Sequence, residues 1–237
     1  MRQYIQYSVE ATFTAVNEPQ VKQILFNNEF DFVCQEMKAY SSNGDYSVQM
    51  LQGNQLYQNA YVNAVNVFGT VQYPAVMLTP MIIKRGTNFQ LNIKNGVGLA
   101  GNKVQLVLVG YHTDEILPND KQWFQYPLET VVFAGASANE WRTITNNNGY
   151  DFVIEKFIGN ATADDYYVRM TDANIQWTLN LDHSQTTIGT AQRPHILKQK
   201  ITMPAGATLQ VQILNGATAV NSIQIVYEGY LVKPISG

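Results

Sequence analysis

The sequence predicts an all-β protein made of two tandem antiparallel β-sandwiches. Three observations lead to this fold class: apolar and polar residues alternate with a period of two, turn residues separate the alternating runs, and the second half of the chain repeats the first. Alternation of this kind indicates strands with one buried face. Because no segment shows sustained helical periodicity, we expect helices to contribute little.

The internal repeat is the clearest of these signals. Residues 30–33 (Phe-Asp-Phe-Val) recur as residues 150–153 (Tyr-Asp-Phe-Val), and the same spacing of 120 residues continues without a gap to Gly96. Self-similarity over such a length predicts that one folding unit has been duplicated. The predicted domains are a first sandwich at 1–112, a linker at 113–122 and a second sandwich at 123–237.

Each copy contains seven or eight strand candidates, at the spacing typical of sandwiches and barrels. Phe89-Gln90-Leu91-Asn92-Ile93 is a clear alternating run. Asn95-Gly96 and Asn215-Gly216 predict tight turns, because Asn and Gly tolerate positive φ. The only short helices the pattern allows lie at 18–26 and, in the second copy, 138–144. We expect a jelly-roll-like sandwich for each copy, with an immunoglobulin-like sandwich as the alternative.

The composition favours a surface that associates with other proteins. Hydrophobic residues make up 46% and charged residues 14% of the chain, and the net charge is −3. Neutral amides are buried at a contact at lower cost than charges. The chain has no run of Lys and Arg and no apolar stretch of membrane-spanning length, so we expect no nucleic-acid partner and no membrane span. The first residues lack an apolar signal core and Cys34 is the only cysteine, so we expect the chain to be made in a reducing cytoplasm.

Residues that could carry chemistry are expected to be structural. Cys34 is the only cysteine and corresponds to Ile154 in the second copy, which indicates a small apolar role rather than a nucleophile. Asp182-His183 is the nearest approach to a metal-ligand pair, but adjacent strand residues face opposite sides. Asp31 recurs as Asp151, so we expect both carboxylates to cap a turn or bind a buried N–H. The sequence predicts no cofactor, metal or catalytic site, and we interpret the chain as non-enzymatic.

Five aromatic residues are the candidates for an interface or a ligand site. Tyr40, Tyr57, Tyr61 and Tyr73 have no Tyr counterpart in the second copy, and Trp177 takes the place of Tyr57. Exposed aromatic rings can anchor a protein interface or stack on a sugar. The alternative is that most of them belong to the core or its edge.

The chain resembles the structural proteins of bacterial-virus particles. The likeness lies in two fused sandwiches rich in Asn and Gln, in Gly69-Thr70 and its repeat Gly189-Thr190, and in the strand endings from Asn95-Gly96 to Gly110-Tyr111 and their repeats. It is a likeness of strand and turn pattern that covers both copies. It implies a virion protein made in the host cytoplasm. Such a protein would assemble with itself, first of all as a trimer, and with other virion proteins.

Several roles stay open at this point. The resemblance fits a double jelly-roll coat subunit or an auxiliary, decoration or fibre-base protein, and the shortness of each copy favours the auxiliary role. A tandem carbohydrate-binding sandwich that recognises a glycan is the main alternative outside this class. An enzyme ranks third.

Overall fold

The computed structural model describes residues 2–26, 29–44, 46–96, 101–115, 117, 120–163, 165–172, 177–190 and 192–234. The chain divides into two compact units, residues 1–124 and residues 125–234. One strand ends at Thr113 and the next begins at Lys121, and the linker at 113–122 stays a prediction.

The first unit is built almost entirely from strands, with one short helix. Its elements are β1 (Arg2–Thr12), β2 (Pro19–Leu25), β3 (Asp31–Ser41), β4 (Tyr46–Gln52), β5 (Gln55–Leu56), β6 (Val62–Asn63), α1 (Ala64–Val67), β7 (Ala75–Ile83), β8 (Asn88–Asn95) and β9 (Lys103–Thr113).

The second unit also has nine strands and one short helix among the described residues, and its first strand begins before the boundary at Gln125. Its elements are β10 (Lys121–Pro127), β11 (Val131–Phe133), β12 (Asn139–Thr145), β13 (Asp151–Ala161), β14 (Tyr166–Asp172), β15 (Asp182–His183), α2 (Ser184–Thr187), β16 (His195–Met203), β17 (Thr208–Asn215) and β18 (Asn221–Val232). Within the described ranges, no helix is long and apolar enough to cross a membrane.

Each unit is a sandwich of two sheets. In the first unit the strand orders are β1-β9-β3-β7 and β2-β8-β4-β5, with β6 also on β4. In the second they are β10-β18-β13-β16, with β11 on β18, and β12-β17-β14-β15. Consecutive long strands alternate between the two sheets, which is the arrangement of a jelly roll rather than of an immunoglobulin-like sandwich. The all-β, jelly-roll-like prediction is confirmed.

The core of each sandwich is filled by large apolar side chains. Alternation places Phe89, Leu91 and Ile93 fully inside, as the sequence predicted. In the first unit Phe26 and Phe32 stack with ring centroids 5.1 Å apart. Burial of each such side chain stabilises the fold by roughly 1.5–3 kcal/mol.

The bounds of corresponding elements lie 120 residues apart in the two units. This holds for β3 and β13, for α1 and α2, and for β7 and β16. The register of both long sheets also shifts at the same point, between Cys34 and Glu36 in one and between Ile154 and Lys156 in the other. The agreement supports tandem duplication, which stays a prediction.

Two local predictions were wrong. The segments allowed as short helices, 18–26 and 138–144, form strands β2 and β12 instead, because they pair along their whole length with β8 and β17. The tight turn predicted at Asn215-Gly216 is also wrong, because Gly216 does not have a positive φ and a loop over 216–220 follows β17. Asn215 is fully buried and its amide donates to the carbonyl oxygen of Gly135 at 2.8 Å, while Gly216 leaves room for the side chain of Asp165. The turn predicted at Asn95-Gly96 involves residues 97–100, which lie outside the described residues.

Candidate functional site

The five candidate aromatic residues divide by exposure. Tyr40 is 63% exposed, Tyr73 53% and Tyr61 38%. Trp177 is half-buried. These four side chains are accessible to a partner or ligand.

Tyr57 does not fit the prediction, because it is 1% exposed. Its hydroxyl donates to Gln52 Oε1 at 2.6 Å and approaches the carbonyl oxygen of Ile82 at 3.2 Å. Its ring lies 5.8 Å from that of Phe89. Burial raises the pKa of this hydroxyl above its ordinary value. Tyr57 is therefore a core residue of the first sandwich.

Tyr73 lies at the tip of a tight loop that precedes β7. The backbone N–H of Thr70 donates to the carbonyl oxygen of Tyr73 at 2.9 Å, and the N–H of Tyr73 donates to Thr70 Oγ1 at 3.1 Å. A Cβ at Gly69 would overlap that same carbonyl oxygen, so only glycine allows the loop to close. The Gly69-Thr70 pair therefore closes this loop, Gly69 by leaving room for the carbonyl oxygen and Thr70 by its two hydrogen bonds to Tyr73.

The second sandwich closes the corresponding loop in the same way. The N–H of Thr190 donates to the carbonyl oxygen of Arg193 at 3.0 Å, and the N–H of Arg193 donates to Thr190 Oγ1 at 3.2 Å. The exposed tip residue is Arg193 instead of Tyr73. Two loops closed by the same pair of hydrogen bonds therefore present an aromatic ring and a cation, although Gly189 has a positive φ and Gly69 does not.

The edge strands β7 and β16 also differ in the chemistry of their exposed residues: β7 presents an apolar residue and β16 presents lysines. Four residues of β7, 77–80, lie opposite one residue of β3, so the strand bulges there and leaves Leu78 45% exposed. In β16 the bulge spans 197–200 and presents exposed lysines, Lys198 and Lys200. Lys200 donates to Glu155 at 2.7 Å, and this hydrogen bond raises its pKa. One bulge is apolar and the other is basic.

The outer face of the β1-β9-β3-β7 sheet carries further exposed rings. Tyr4 is 66% exposed and, like Tyr40, points away from the core. On β3, the strand of Tyr40, Lys38 pairs with Glu36 at 2.6 Å, and the hydrogen bond to Glu36 raises the pKa of Lys38. This face combines uncharged rings with a neutralised ion pair, which suits a protein contact.

Trp177 lies beside an open hollow on the second sandwich. Its indole Nε1 donates to Asp172 Oδ2 at 3.1 Å. The hollow has a volume of about 320 Å³, and its wall is completed by the end of β16, the turn after it and the start of β17. Sequence comparison singled out the ring but not the hollow.

The residues considered for chemistry have structural contacts. Cys34 is fully buried, and burial raises the pKa of its thiol to about 12, so the thiolate nucleophile is suppressed. Asp31 Oδ1 accepts from the N–H of Arg85 at 3.0 Å, and Asp151 Oδ1 accepts from the N–H of Ala205 at 3.1 Å. These two bonds lie 120 residues apart and confirm the prediction for the paired carboxylates.

The histidines are also engaged by neighbouring groups. His183 Nδ1 accepts from the N–H of Gln185 at 3.3 Å and caps α2, while Nε2 lies 3.5 Å from Asp165 Oδ1. His112 Nε2 lies 2.7 Å from the Tyr7 hydroxyl, and burial lowers the pKa of this histidine. Among the described residues, no three His, Cys, Asp or Glu side chains come together as ligands for a metal ion.

A buried ion pair of the second sandwich was not predicted from the sequence. Lys156 Nζ lies 2.8 Å from Glu228 Oε1, and the two side chains are 5% and 6% exposed. Gln125 Nε2 donates to the other oxygen of Glu228 at 2.8 Å. The positions lie on adjacent strands β13 and β18, so no local pattern in the sequence could have indicated the pair.

Comparisons with known proteins give likeness of structure only. No family model and no curated protein matches the chain. The major capsid protein P2 from bacteriophage PM2 aligns over 100% of both chains with a TM-score of 0.46 and 9% identity. A chain of the PBCV-1 virus capsid aligns over 100% of this chain and 97% of its own, with a TM-score of 0.45 and 8% identity.

A third solved structure is of a different kind. The CUB1-EGF-CUB2 domain of human MASP-1/3 aligns over 94% of this chain and 99% of its own, with a TM-score of 0.24 and 8% identity. Because all three TM-scores are low, what this chain does has to be inferred from its own strands and surfaces.

Proposed function

We propose that this protein is a structural component of a virus particle, a coat or auxiliary protein of a bacterial virus, which acts by associating with copies of itself and with other particle proteins. Jelly rolls occur in viral capsid proteins and in lectins. Here the interior of each roll is occupied by apolar side chains such as Phe32 and Phe152, which leaves the outer surfaces as the place of function.

One observation carries the proposal: two sandwiches with corresponding strands present different chemistry at corresponding exposed positions. Tyr73 corresponds to Arg193, and Leu78 corresponds to Lys198. A chain that only needed to stay soluble would have no reason for an apolar edge on one sandwich. Divergence of this kind suits a subunit whose two halves face different neighbours.

The two edges are complementary in chemistry. An Arg guanidinium binds the face of a Tyr ring through a cation–π contact, and the alkyl stems of lysines cover apolar residues such as Leu78. We therefore propose that the β7 edge of one copy contacts the β16 edge of the next copy. A head-to-tail contact of this kind closes into a ring, and a trimer is the ring we expect first.

Light scattering on the purified protein tests this proposal. The wild type should be an oligomer, and Leu78→Lys, which copies the second sandwich, should shift it toward the monomer. Leu25→Lys is the matched control, because Leu25 is 75% exposed but lies on β2 in the other sheet. A monodisperse monomer at all concentrations, or equal effects of the two variants, would contradict the proposal.

Within this role the main coat and an auxiliary protein are the two alternatives. Electron microscopy of particles with the protein labelled distinguishes the two. A coat protein would cover the whole shell, whereas an auxiliary protein would occupy a subset of sites on it.

A further inference from the structure

The hollow beside Trp177 lies within the second sandwich and is formed by residues that the structure describes. Asp172 ends β14, Thr202 lies near the end of β16, and Ala207 and Leu209 lie at the start of β17. Its volume of about 320 Å³ is at the lower end of small-molecule pockets. It is large enough for one six-membered sugar ring.

At the corresponding position of the first sandwich the described residues leave no such hollow, because the side chain of Tyr57 is buried there. Tyr57 corresponds to Trp177, and Gln52 corresponds to Asp172. The Tyr57 hydroxyl donates a hydrogen bond to Gln52 Oε1 at 2.6 Å, just as the Trp177 indole donates to Asp172. There, however, the ring is packed on Phe89 and is 1% exposed. Gln52 Nε2 also donates to Thr87 Oγ1 at 2.9 Å, which seals the rim.

Two smaller residues account for the opening in the second sandwich. Leu209 stands where Phe89 fills the first sandwich, and Ala207 stands where Thr87 binds Gln52. Loss of the ring and of the hydroxyl leaves space beside the indole. The hollow is therefore a specific difference between two otherwise corresponding sandwiches.

The groups around this space have the chemistry of a sugar site. One indole is half-buried and held in orientation by its hydrogen bond to Asp172, so it can stack on the C–H face of a pyranose. A carboxylate accepts hydrogen bonds from sugar hydroxyls. The exposed hydroxyl groups of Thr202 and Thr208 lie on the same wall.

We propose that the hollow at Trp177 and Asp172 binds a neutral saccharide, with one pyranose ring on the indole and its hydroxyls directed to the carboxylate. The negative charge of Asp172 disfavours sialylated or phosphorylated sugars. A quaternary ammonium ion is the competing ligand for a ring and a carboxylate, but such sites surround the cation with several aromatic rings. Among the described residues that line this hollow, Trp177 alone is aromatic.

Titration of the full-length protein with glucose, galactose, mannose and N-acetylglucosamine, followed by a neutral glycan array, tests this site. At least one sugar should bind saturably. Trp177→Ala should weaken that binding by about tenfold or more, and Trp177→Tyr, which restores the ring of the first sandwich, should weaken it less. Leu209→Phe should abolish binding by filling the hollow as Phe89 fills the first sandwich.

Trp141→Ala is the matched control, because Trp141 is 46% exposed on β12 and does not line the hollow. Circular dichroism confirms that each variant is folded. The proposal is overturned if no sugar binds the wild type, if Trp177→Ala and Trp141→Ala behave alike, or if choline binds where sugars do not. None of these outcomes bears on assembly through the β7 edge, which light scattering tests separately.

Discussion

The two sandwiches share the residues that allow close backbone packing, and they differ in the side chains exposed on their surfaces. Gly110 and Gly229 lie opposite the strand irregularity in each long sheet, and in both a Cβ would overlap a backbone carbonyl oxygen. In contrast, Tyr73 and Arg193 occupy the same loop tip with unlike chemistry. Residues that solve a backbone problem are therefore retained, whereas residues that meet solvent or a partner have diverged.

Buried amides belong to the retained group. Asn102 Nδ2 donates to Asn95 Oδ1 at 3.1 Å in the first sandwich, and Asn221 Nδ2 donates to Asn215 Oδ1 at 2.9 Å in the second. Each pair also binds a loop backbone, as Asn95 does through the carbonyl oxygen of Ala15. Fully satisfied buried amides hold loops at fixed positions, which explains why these asparagines recur.

The largest predicted loss of stability is at Lys156, and the corresponding position of the first sandwich should show a much smaller loss. Lys156→Met should lower the free energy of unfolding by about 3–5 kcal/mol, because it leaves Glu228 buried without its cation. Glu36 occupies the corresponding position in the first sandwich, where its pair with Lys38 is partly exposed. Glu36→Gln should therefore cost about 1 kcal/mol or less. Equal losses for the two variants, measured by chemical denaturation, would show that burial of the pair does not matter.

The second prediction concerns a constraint that the sandwiches share. Gly110→Ala and Gly229→Ala should each destabilise by about 3 kcal/mol, because the added methyl overlaps the carbonyl oxygen of Val33 or Val153. Gly135→Ala serves as control, since nothing lies within 4 Å of its Cβ position. Thermal denaturation should place both core variants well below the control. A large effect at only one of them would mean that the two irregularities are not equivalent.

The third and smallest effect concerns Asp31 and its counterpart. Burial raises the pKa of Asp31, but hydrogen bonds from the Arg85 backbone and from Lys84 outweigh this and hold the pKa below its ordinary value. Asp31→Asn should therefore destabilise by about 1.5–3 kcal/mol at neutral pH. Asp151 is exposed, so Asp151→Asn should cost about 0.5 kcal/mol.

The pH dependence of this effect has a definite sign. Because the folded-state pKa of Asp31 is depressed, its contribution is present above the unfolded-state value of about 3.9 and is lost as the pH falls through the lower folded-state pKa. Denaturation curves of wild type and Asp31→Asn should therefore converge in acid. A difference that stays constant down to the lowest pH would show that the ionised carboxylate is not the stabilising group.

Strand content could be predicted from the sequence wherever the pattern was local. The alternating runs of β8 and β17 lie where the sequence placed them. Strands β2 and β12 were missed because pairing with β8 and β17, such as Gln20 with Ile93, is not visible in a local window. Helices α1 and α2 have four residues each, too few to show a helical period.

The candidate site was predictable only in part. Alignment of the two copies identified Tyr57 and Trp177 as corresponding rings, but it could not tell which of them was buried. That outcome depends on whether Phe89 or Leu209 lies beneath the ring, far along the chain and in another strand. The apolar bulge of β7 was equally hidden, because it arises from an unequal number of residues in paired strands.

The bulged edges have a further consequence for how copies meet. A straight edge strand offers its N–H and C=O groups as a template on which another chain can add a strand without limit. Strand β7 carries Pro80 within its bulge, and β16 carries Lys198 and Lys200 there. Neither edge is suited to continuous sheet extension. If copies associate at these edges as proposed, side chains would make the contacts, and copies could dissociate and correct a misplaced neighbour before a closed assembly is complete.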